Sequence, residues 1–203
     1  SIGFGQFAHS IRRGVNMTYI VENNGVYGLT KGQFSATSDK GSKSKRGVAN
    51  HDSPIDLVSV ALQLGATFVA RSFSGDKKQL TPLIKAALRH QGSAFIDCLS
   101  PCIQFNNHTG STKSYDYVRE HNEAVNRLDV ITPRAPLSID HEPGTTQLVT
   151  QHDGSVLSLH KLGEHYDPSD RVAALNYLGE RHALGEIVTG LLFVDPAAED
   201  LHE

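Results

Sequence analysis

Apolar and polar positions in the first hundred residues alternate between two periods. Phe7, Ile11 and Val15 fall on one stripe of a short helix, with Arg12 and Arg13 on its outer side. Met17-Thr18-Tyr19-Ile20-Val21 is a continuous β-rich apolar run bounded by Asn23-Asn24-Gly25, the pattern of a strand buried on both faces. From Gly28 to about Asp52 the chain is polar and glycine-rich, too long for an ordinary connection, and reads as a functional loop or a disordered one. Ser53-Pro54-Ile55-Asp56 predicts a helix start, with Ser53 as cap, Pro54 in the first turn and Asp56 at the positive helix end. Ile55, Val58, Ala61 and Leu62 keep helical spacing, and Gly65 can close the helix. Ala66 to Ala70 reads as the next strand. Asp76 and Gln79 resemble a capping box ahead of Leu80, Leu83, Ile84, Ala87 and Leu88, a helix that stops near Gln91-Gly92. Ala94 to Asp97 is a third strand.

Helix, strand, helix, strand, helix, strand implies parallel β-α-β units, an α/β fold with a doubly wound, mostly parallel sheet. Ligands of such sheets sit beyond the carboxyl ends of the strands. Those ends are Asn23-Asn24-Gly25, the region of Arg71-Ser72, and Cys98 to Asn107. The second half reads differently, as a mixed C-terminal extension. Tyr115 to Val125 looks helical, Arg134 to Gly144 is a proline-bearing loop, and Leu148 to Leu162 is hairpin-like with Asp153-Gly154 as its turn. Asp170 to Arg181 predicts a helix following Pro168-Ser169, and Gly190 to Val194 a closing strand. The chain thus divides into residues 1–107 and an extension, 108–203, that packs on the first unit or on a partner subunit.

With 203 residues, the chain is long enough for one ordinary domain or one domain with an extension. A formal charge of −3 gives no reason to expect bulk binding to nucleic acid or an anionic membrane. No apolar run approaches the ~18 residues of a membrane helix. Two cysteines make no disulfide framework, and no secretory segment opens the chain, so a reducing, cytoplasmic setting is the default.

Glu22 to Gln33, directly after the first strand, carries the strongest chemical signal. Asn24 can offer a side-chain oxygen to a hard cation, and the turn it makes can aim the Val26 carbonyl at the same ion. Magnesium takes about six oxygens, usually with a carboxylate among them, and nothing here supplies one convincingly. A plain Asn-Gly turn is the alternative. Lys31, in a glycine-flanked turn, is either a solvated loop lysine or an ammonium paired with an anionic substrate end. Cys98 and Cys102, four apart, are too few for a metal site of their own. Lys40, Lys43, Lys45 and Arg46 form a basic loop without interleaved aromatics, a solvated or partner-contacting loop rather than a nucleic-acid site. The eleven histidines show no ligand-grade spacing, and His108 and His121 read as surface residues.

Ser1-Ile2-Gly3, Ile11-Arg12-Arg13, Tyr19 to Gln33, Thr37-Ser38-Asp39 to Gly47, Ser100-Pro101-Cys102 with Phe105-Asn106-Asn107, Tyr166-Asp167-Pro168 and Thr189 to Leu192 together resemble the β subunit of the 2-oxoacid:ferredoxin oxidoreductases, which are thiamine diphosphate enzymes. The resemblance runs over nearly the whole chain. It implies that residues 1–107 are the C-terminal part of a thiamine diphosphate-binding domain. Asn24 and Val26 would then hold the Mg2+ that anchors the diphosphate, within a cofactor segment that also includes Gly25, Tyr27, Gly28, Leu29 and Thr30. The Asp of the family's Gly-Asp-Gly element, expected a few residues before Ser1, would complete the cage, so the chain resembles a β subunit cut just after that element.

The Thr30-Lys31-Gly32-Gln33 form resembles members acting on 2-oxoglutarate or a broad range of 2-oxoacids, and it implies that Lys31 faces the substrate's distal carboxylate. Cys102 matches one of four ligands to a [4Fe–4S] cluster whose other ligands lie upstream; Cys98 does not match. The activity implied is oxidative decarboxylation of a 2-oxoacid to its acyl-coenzyme A, with electrons passing to ferredoxin. The partners implied are an α subunit that supplies the base-activating glutamate, ferredoxin, coenzyme A and the 2-oxoacid. A noncatalytic subunit-interaction module and another thiamine-dependent decarboxylase are the rival readings. The second sits poorly with Cys102, which such enzymes do not need.

Overall fold

The two stripe residues Phe7 and Ile11 are buried under the first helix, α1 (Phe4–Arg12), with Arg12 and Arg13 exposed. Phe7 meets Tyr19 and Phe95 edge-on, with ring centroids 5.2 and 5.0 Å apart. The computed structural model describes residues 2–43, 47–125, 139–150, 156–163 and 166–198. Lys45, Arg46, residues 134–138 of the proline-bearing loop and the Asp153-Gly154 turn lie outside the described residues.

Strand β1 (Met17–Asn23) extends two residues past its apolar run. It is not buried on both faces as its pattern suggests: Ile20 is 41% exposed and Glu22 is exposed. The physical reason is position. β1 stands at one end of the sheet, where Tyr19 and Val21 pack on the core beside α1 and the opposite face has fewer neighbours.

Helix α2 (Leu57–Leu64) is capped by Asp56, whose Oδ2 accepts Ser59 N–H at 3.3 Å and Ser59 Oγ–H at 2.5 Å. Ser53 and Pro54 precede the helix rather than opening it, and Ile55 instead donates its N–H to the Ala36 carbonyl. Pro54 biases Ser53 away from helical angles, while Asp56 can reach the free N–H groups of the first turn. Gly65 closes α2 at φ 94°.

The short hairpin strands β2 (Val26–Tyr27) and β3 (Gln33–Phe34) lie between β1 and α2. β4 (Phe68–Phe73), α3 (Lys77–Ala87) and β5 (Ser93–Leu99) complete the first half. β5 lies between β1 and β4, parallel to both. α1 and α2 cover the Phe95 and Val69 face, and α3 covers the face of Ile96 and Ala70, so the sheet is doubly wound. Asp76 caps α3 through Lys78 and Gln79 N–H. Gln79 does not return the bond: its side chain accepts from Ser72 Oγ and donates to Thr189 Oγ1, so only half of the capping box forms.

The second half extends the same sheet. α4 (Tyr115–His121) ends four residues before the expected limit, and Asn122–Val125 form strand β6. Cross-strand bonding overrides local helical pattern here: β6 pairs with β8 (Val156–His160) and β9 (Ile187–Val194), both parallel. β7 (Thr146–Thr150) forms an antiparallel hairpin with β8. α5 (Arg171–Ala183), capped by Asp170, leads to β9, which lies antiparallel against β4. The seven-stranded order is β1-β5-β4-β9-β6-β8-β7. Gly190 makes the β6–β9 contact possible: at φ 128° it leaves no room for a Cβ, which would lie 2.0 Å from the Val125 carbonyl oxygen.

A buried polar cluster ties this extension together. Tyr177 Oη–H donates to Glu123 Oε1 at 3.0 Å, and His160 Nδ1 lies 3.5 Å from the same oxygen. Arg181 Nη1 is 3.7 Å from Glu123 Oε2 and 3.3 Å from Glu186 Oε2. Burial holds His160 below its ordinary value of 6.5, with the Arg181 and His141 charges adding to the effect and Glu186 opposing it. As pH falls below 6.5 the unfolded chain takes up a proton that the folded chain resists, so this residue makes folding less stable toward acid. His160→Gln is expected to flatten the fall in stability between about pH 6.5 and 5, read by urea midpoints across pH. An unchanged pH profile would assign the acid sensitivity elsewhere.

Candidate functional site

The chain leaves β1 through two asparagines that do different work. Asn23, only 7% exposed, accepts the Thr37 hydroxyl at 2.7 Å and fixes the following loop. Asn24 Oδ1 accepts Val26 N–H at 3.0 Å, closing a side-chain turn over Gly25, which takes φ 73°. In the β2–β3 hairpin, Ser35 N–H bonds the Gly25 carbonyl, and Val26 faces Phe34 across the ladder. Antiparallel pairing alternates bonded and non-bonded positions, so the N–H and C=O of Val26 both turn away from β3. That is the side on which Asn24 Oδ1 receives the Val26 N–H. The two oxygens singled out in the sequence therefore share one side, and the amide oxygen keeps a second lone pair. They fit a hard cation as two neutral ligands. Among the described residues no group of three or more His, Cys, Asp or Glu side chains comes together to hold a metal ion.

The rest of the segment forms the hairpin tip. Gly28, Leu29, Thr30 and Lys31 are exposed, Leu29 almost fully at 99%. Lys31 takes a left-handed φ of 70°, a conformation that costs a non-glycine residue roughly 1 kcal/mol, and donates its N–H to the Gly28 carbonyl. Tyr27 Oη accepts Ile2 N–H at 3.2 Å, tying the tip to the start of α1.

The loop after β5 packs directly on this hairpin. Its turn is closed by the Cys102 carbonyl, which accepts Phe105 and Asn106 N–H at 3.2 and 2.8 Å. Asn106 Nδ2–H then donates to the Asn24 carbonyl at 2.8 Å. The approach is too close for side chains on the hairpin. A Cβ at Gly25 would sit 2.7 Å from Asn106 Nδ2 and 2.9 Å from Lys113 Cδ; one at Gly32 would sit 2.9 Å from the Phe105 ring. Cys102 is half-buried and offers one thiol. Cys98 faces the interior of β5, where burial, together with the Asp97 and Glu22 charges, pushes its thiol up to about 11. A thiol so raised stays protonated and is a poor ligand. Of the two thiols, Cys102 is the better placed to bind a metal.

Ionic groups converge nearby, at the carboxyl ends of β4 and β5. Arg71 pairs with Asp97 Oδ2 through Nε at 2.9 Å and with Asp56 Oδ1 through Nη2. Burial pushes Asp56 up, but Arg71 and Ser59 outweigh it and hold its carboxyl below the ordinary range. Burial wins at Asp97, which is raised despite Arg71. Lys113, 7% exposed, pairs with Asp39 Oδ1 at 3.0 Å, and Asp39 also accepts Thr112 N–H and Oγ1–H. These groups, with Asn23 and residues of α5 and β9, line a cavity of about 390 Å³. The sequence points to Arg71 as a strand end and to Asp56 as a helix-end charge, but not to their union. Asp97, Asp39 and Lys113 carry no local signal, since their partners lie 26 and 74 residues away.

Residues 1–98 match the thiamine pyrophosphate enzyme, C-terminal TPP binding domain. The chain is 48% identical over 106 residues to the 2-oxoacid:ferredoxin oxidoreductase subunit beta of Saccharolobus solfataricus, covering 52% of this chain and 35% of that one. It is 42% identical over 107 residues to the 2-oxoglutarate oxidoreductase subunit KorB of Mycobacterium tuberculosis, covering 52% and 29%. The fold aligns at a TM-score of 0.71 and 30% identity with a 2-oxoglutarate:ferredoxin oxidoreductase from Magnetococcus marinus, solved with 2-oxoglutarate, coenzyme A and succinyl-CoA bound; the match covers 98% of this chain and 54% of that one. The chain thus spans about a third of the length of the curated relatives it matches. The resemblance seen in the residues holds in these comparisons, and the α/β, mostly parallel sheet agrees with that of the solved relative. No helix among the described residues is long and apolar enough to cross a membrane.

Proposed function

We propose that this chain is β-subunit sequence of a 2-oxoacid:ferredoxin oxidoreductase and serves the thiamine-dependent oxidative decarboxylation of a 2-oxoacid, 2-oxoglutarate foremost, to its acyl-coenzyme A. Residues 1–107 hold the cofactor end, and residues 108–203 are the extension that prolongs the sheet beyond it. The observation that carries this reading is the strand-end turn in which Asn24 Oδ1 accepts Val26 N–H, at a ladder position that turns the Val26 carbonyl away from β3. Bound thiamine diphosphate supplies the nucleophilic carbon and electron sink for loss of carbon dioxide. Asn24 and Val26 would give two oxygens to the Mg2+ that anchors it, and Gly25, Tyr27, Gly28, Leu29 and Thr30 would shape the segment around it.

Asn106 braces the Asn24 carbonyl from the loop that carries Cys102, so the Asn24–Val26 turn and the Cys102 loop belong to one packed unit. That brace supports an electron-transferring enzyme over a thiamine decarboxylase without an iron–sulfur ligand. The remaining cluster ligands and the metal's carboxylate would be supplied by other residues of the holoenzyme. The α subunit, ferredoxin and coenzyme A complete the reaction.

In a complex of the α subunit with a β subunit that carries this sequence together with the remaining cluster ligands and the metal's carboxylate, 2-oxoglutarate and coenzyme A should together reduce ferredoxin. Absence of reduction with any 2-oxoacid overturns the proposal. Lys31, strained and exposed at the hairpin tip, takes the distal carboxylate of the substrate. Lys31→Ala in that complex should lower kcat/KM for 2-oxoglutarate by about 10²-fold and for pyruvate by less than about threefold, since only the first substrate loses an ion pair. Equal losses for both would remove Lys31 from substrate recognition.

A further inference from the structure

The packing of the Cys102 loop on the hairpin leaves a second, smaller cavity of about 230 Å³ between them. Phe34 and Phe105 give it aromatic lining, Val26 brings it to the hairpin, and Ser42, Lys43, Gln104 and His108 add polar groups. The chemistry of that lining is one-sided. Among the described residues no Asp or Glu faces the cavity, and Lys43 brings a full positive charge. His108 lines the opening without donating into it: its Nδ1–H goes to the Thr109 carbonyl at 3.0 Å, which leaves Nε2 of the neutral ring an acceptor. Ser42 Oγ–H is spent on the Asp39 carbonyl and Asn106 Nδ2–H on Asn24, which fixes the loops while Lys43 and the Gln104 amide remain as donors. A partly enclosed space with a cation, amide donors, aromatic walls and no acid selects an anionic group on a short carbon chain. The volume suits a ligand of that size, and Val26 places it beside the oxygens of the magnesium turn.

We propose that this cavity is an anion subsite in which Lys43, with Gln104, holds a carboxylate or phosphate oxygen cluster of a ligand reaching the Asn24–Val26 turn. The site stands on its own lining; naming the anion a substrate carboxylate rests on the proposed reaction. The basic loop thereby gains a defined role for one of its lysines, distinct from Lys31 on the exposed tip.

Amide chemical shifts of the full chain are followed while glutarate, inorganic phosphate or the neutral glutaramide is added, alongside the Lys43→Met and Lys43→Arg variants. Glutarate or phosphate should shift the Lys43, Gln104 and His108 signals and glutaramide should not. Lys43→Met should weaken the anion about tenfold or more and Lys43→Arg by less than about threefold, as expected when a charge-assisted bond is lost or kept. Tighter binding of glutarate than phosphate assigns the subsite to a carboxylate; the reverse order assigns it to a phosphate, and both support an anion site. Absence of shifts at these residues, an equal response to glutaramide, or affinity unchanged in Lys43→Met overturns it. These readouts need no turnover, so a complex inactive on all 2-oxoacids would sink the proposed reaction without touching this result.

Discussion

Asn24→Ala should weaken thiamine diphosphate binding by about 10²-fold or more in the complex with the α subunit, measured by calorimetry in the presence of Mg2+. Two losses combine in this variant. The amide oxygen that serves the metal disappears, and so does the acceptor for Val26 N–H that turns the Val26 carbonyl to the same side. Asn24→Asp separates them, because a carboxylate keeps both the turn acceptor and a hard oxygen. It should hold the cofactor within about tenfold of the parent. Binding in Asn24→Ala equal to that of the parent, with the circular dichroism spectrum unchanged, would show that this turn is structural only.

Arg71→Met should cost about 3–5 kcal/mol of folding stability at neutral pH, the range found when one partner of a buried ion pair is removed. The side chain of Asp97 is 1% exposed and that of Arg71 12%, so the guanidinium neutralises a carboxylate that water barely reaches. Without Arg71, Asp97 must bind a proton or remain an unpaired buried charge. The sign with pH follows from this. Removal of the cation raises the folded-state value of Asp97 further above 3.8 and releases Asp56 from its depressed value. The folded variant then takes up protons on acidification more readily than the parent, so its deficit should shrink toward acid pH. Urea midpoints at neutral and mildly acid pH read both effects, and Arg71→Met/Asp97→Leu should recover much of the loss. A cost under about 1 kcal/mol, or a deficit that grows toward acid, would mean that the pair carries little weight.

Periodicity was a sound guide wherever burial follows the local pattern. The helical stripe of Phe7 and Ile11, the Gly65 stop and the three parallel strands of the first half all have that origin. It misled at element ends. Asp56, not Ser53, caps α2, because the cap is decided by which side chain reaches the free N–H groups once Pro54 has set the chain direction. Residues 122–125 leave the helical pattern for a strand because β8 and β9 offer ladder partners that no local pattern encodes.

For the site, the residues alone raise the Asn24–Val26 turn and Lys31 beside a plain turn and a solvated lysine, and it is the family resemblance that implies their roles and that of Cys102. Asn106 stood in the motif with Cys102, but its bond to the Asn24 carbonyl spans 82 residues. Arg71 with Asp97, Lys113 with Asp39, and the small cavity around Lys43 arise only when the sheet brings strand ends and loops to one edge. Short-range order is written in hydrogen-bond reach and side-chain period along the chain. Charge pairing and enclosed space depend on separation through space, and only the folded chain sets that.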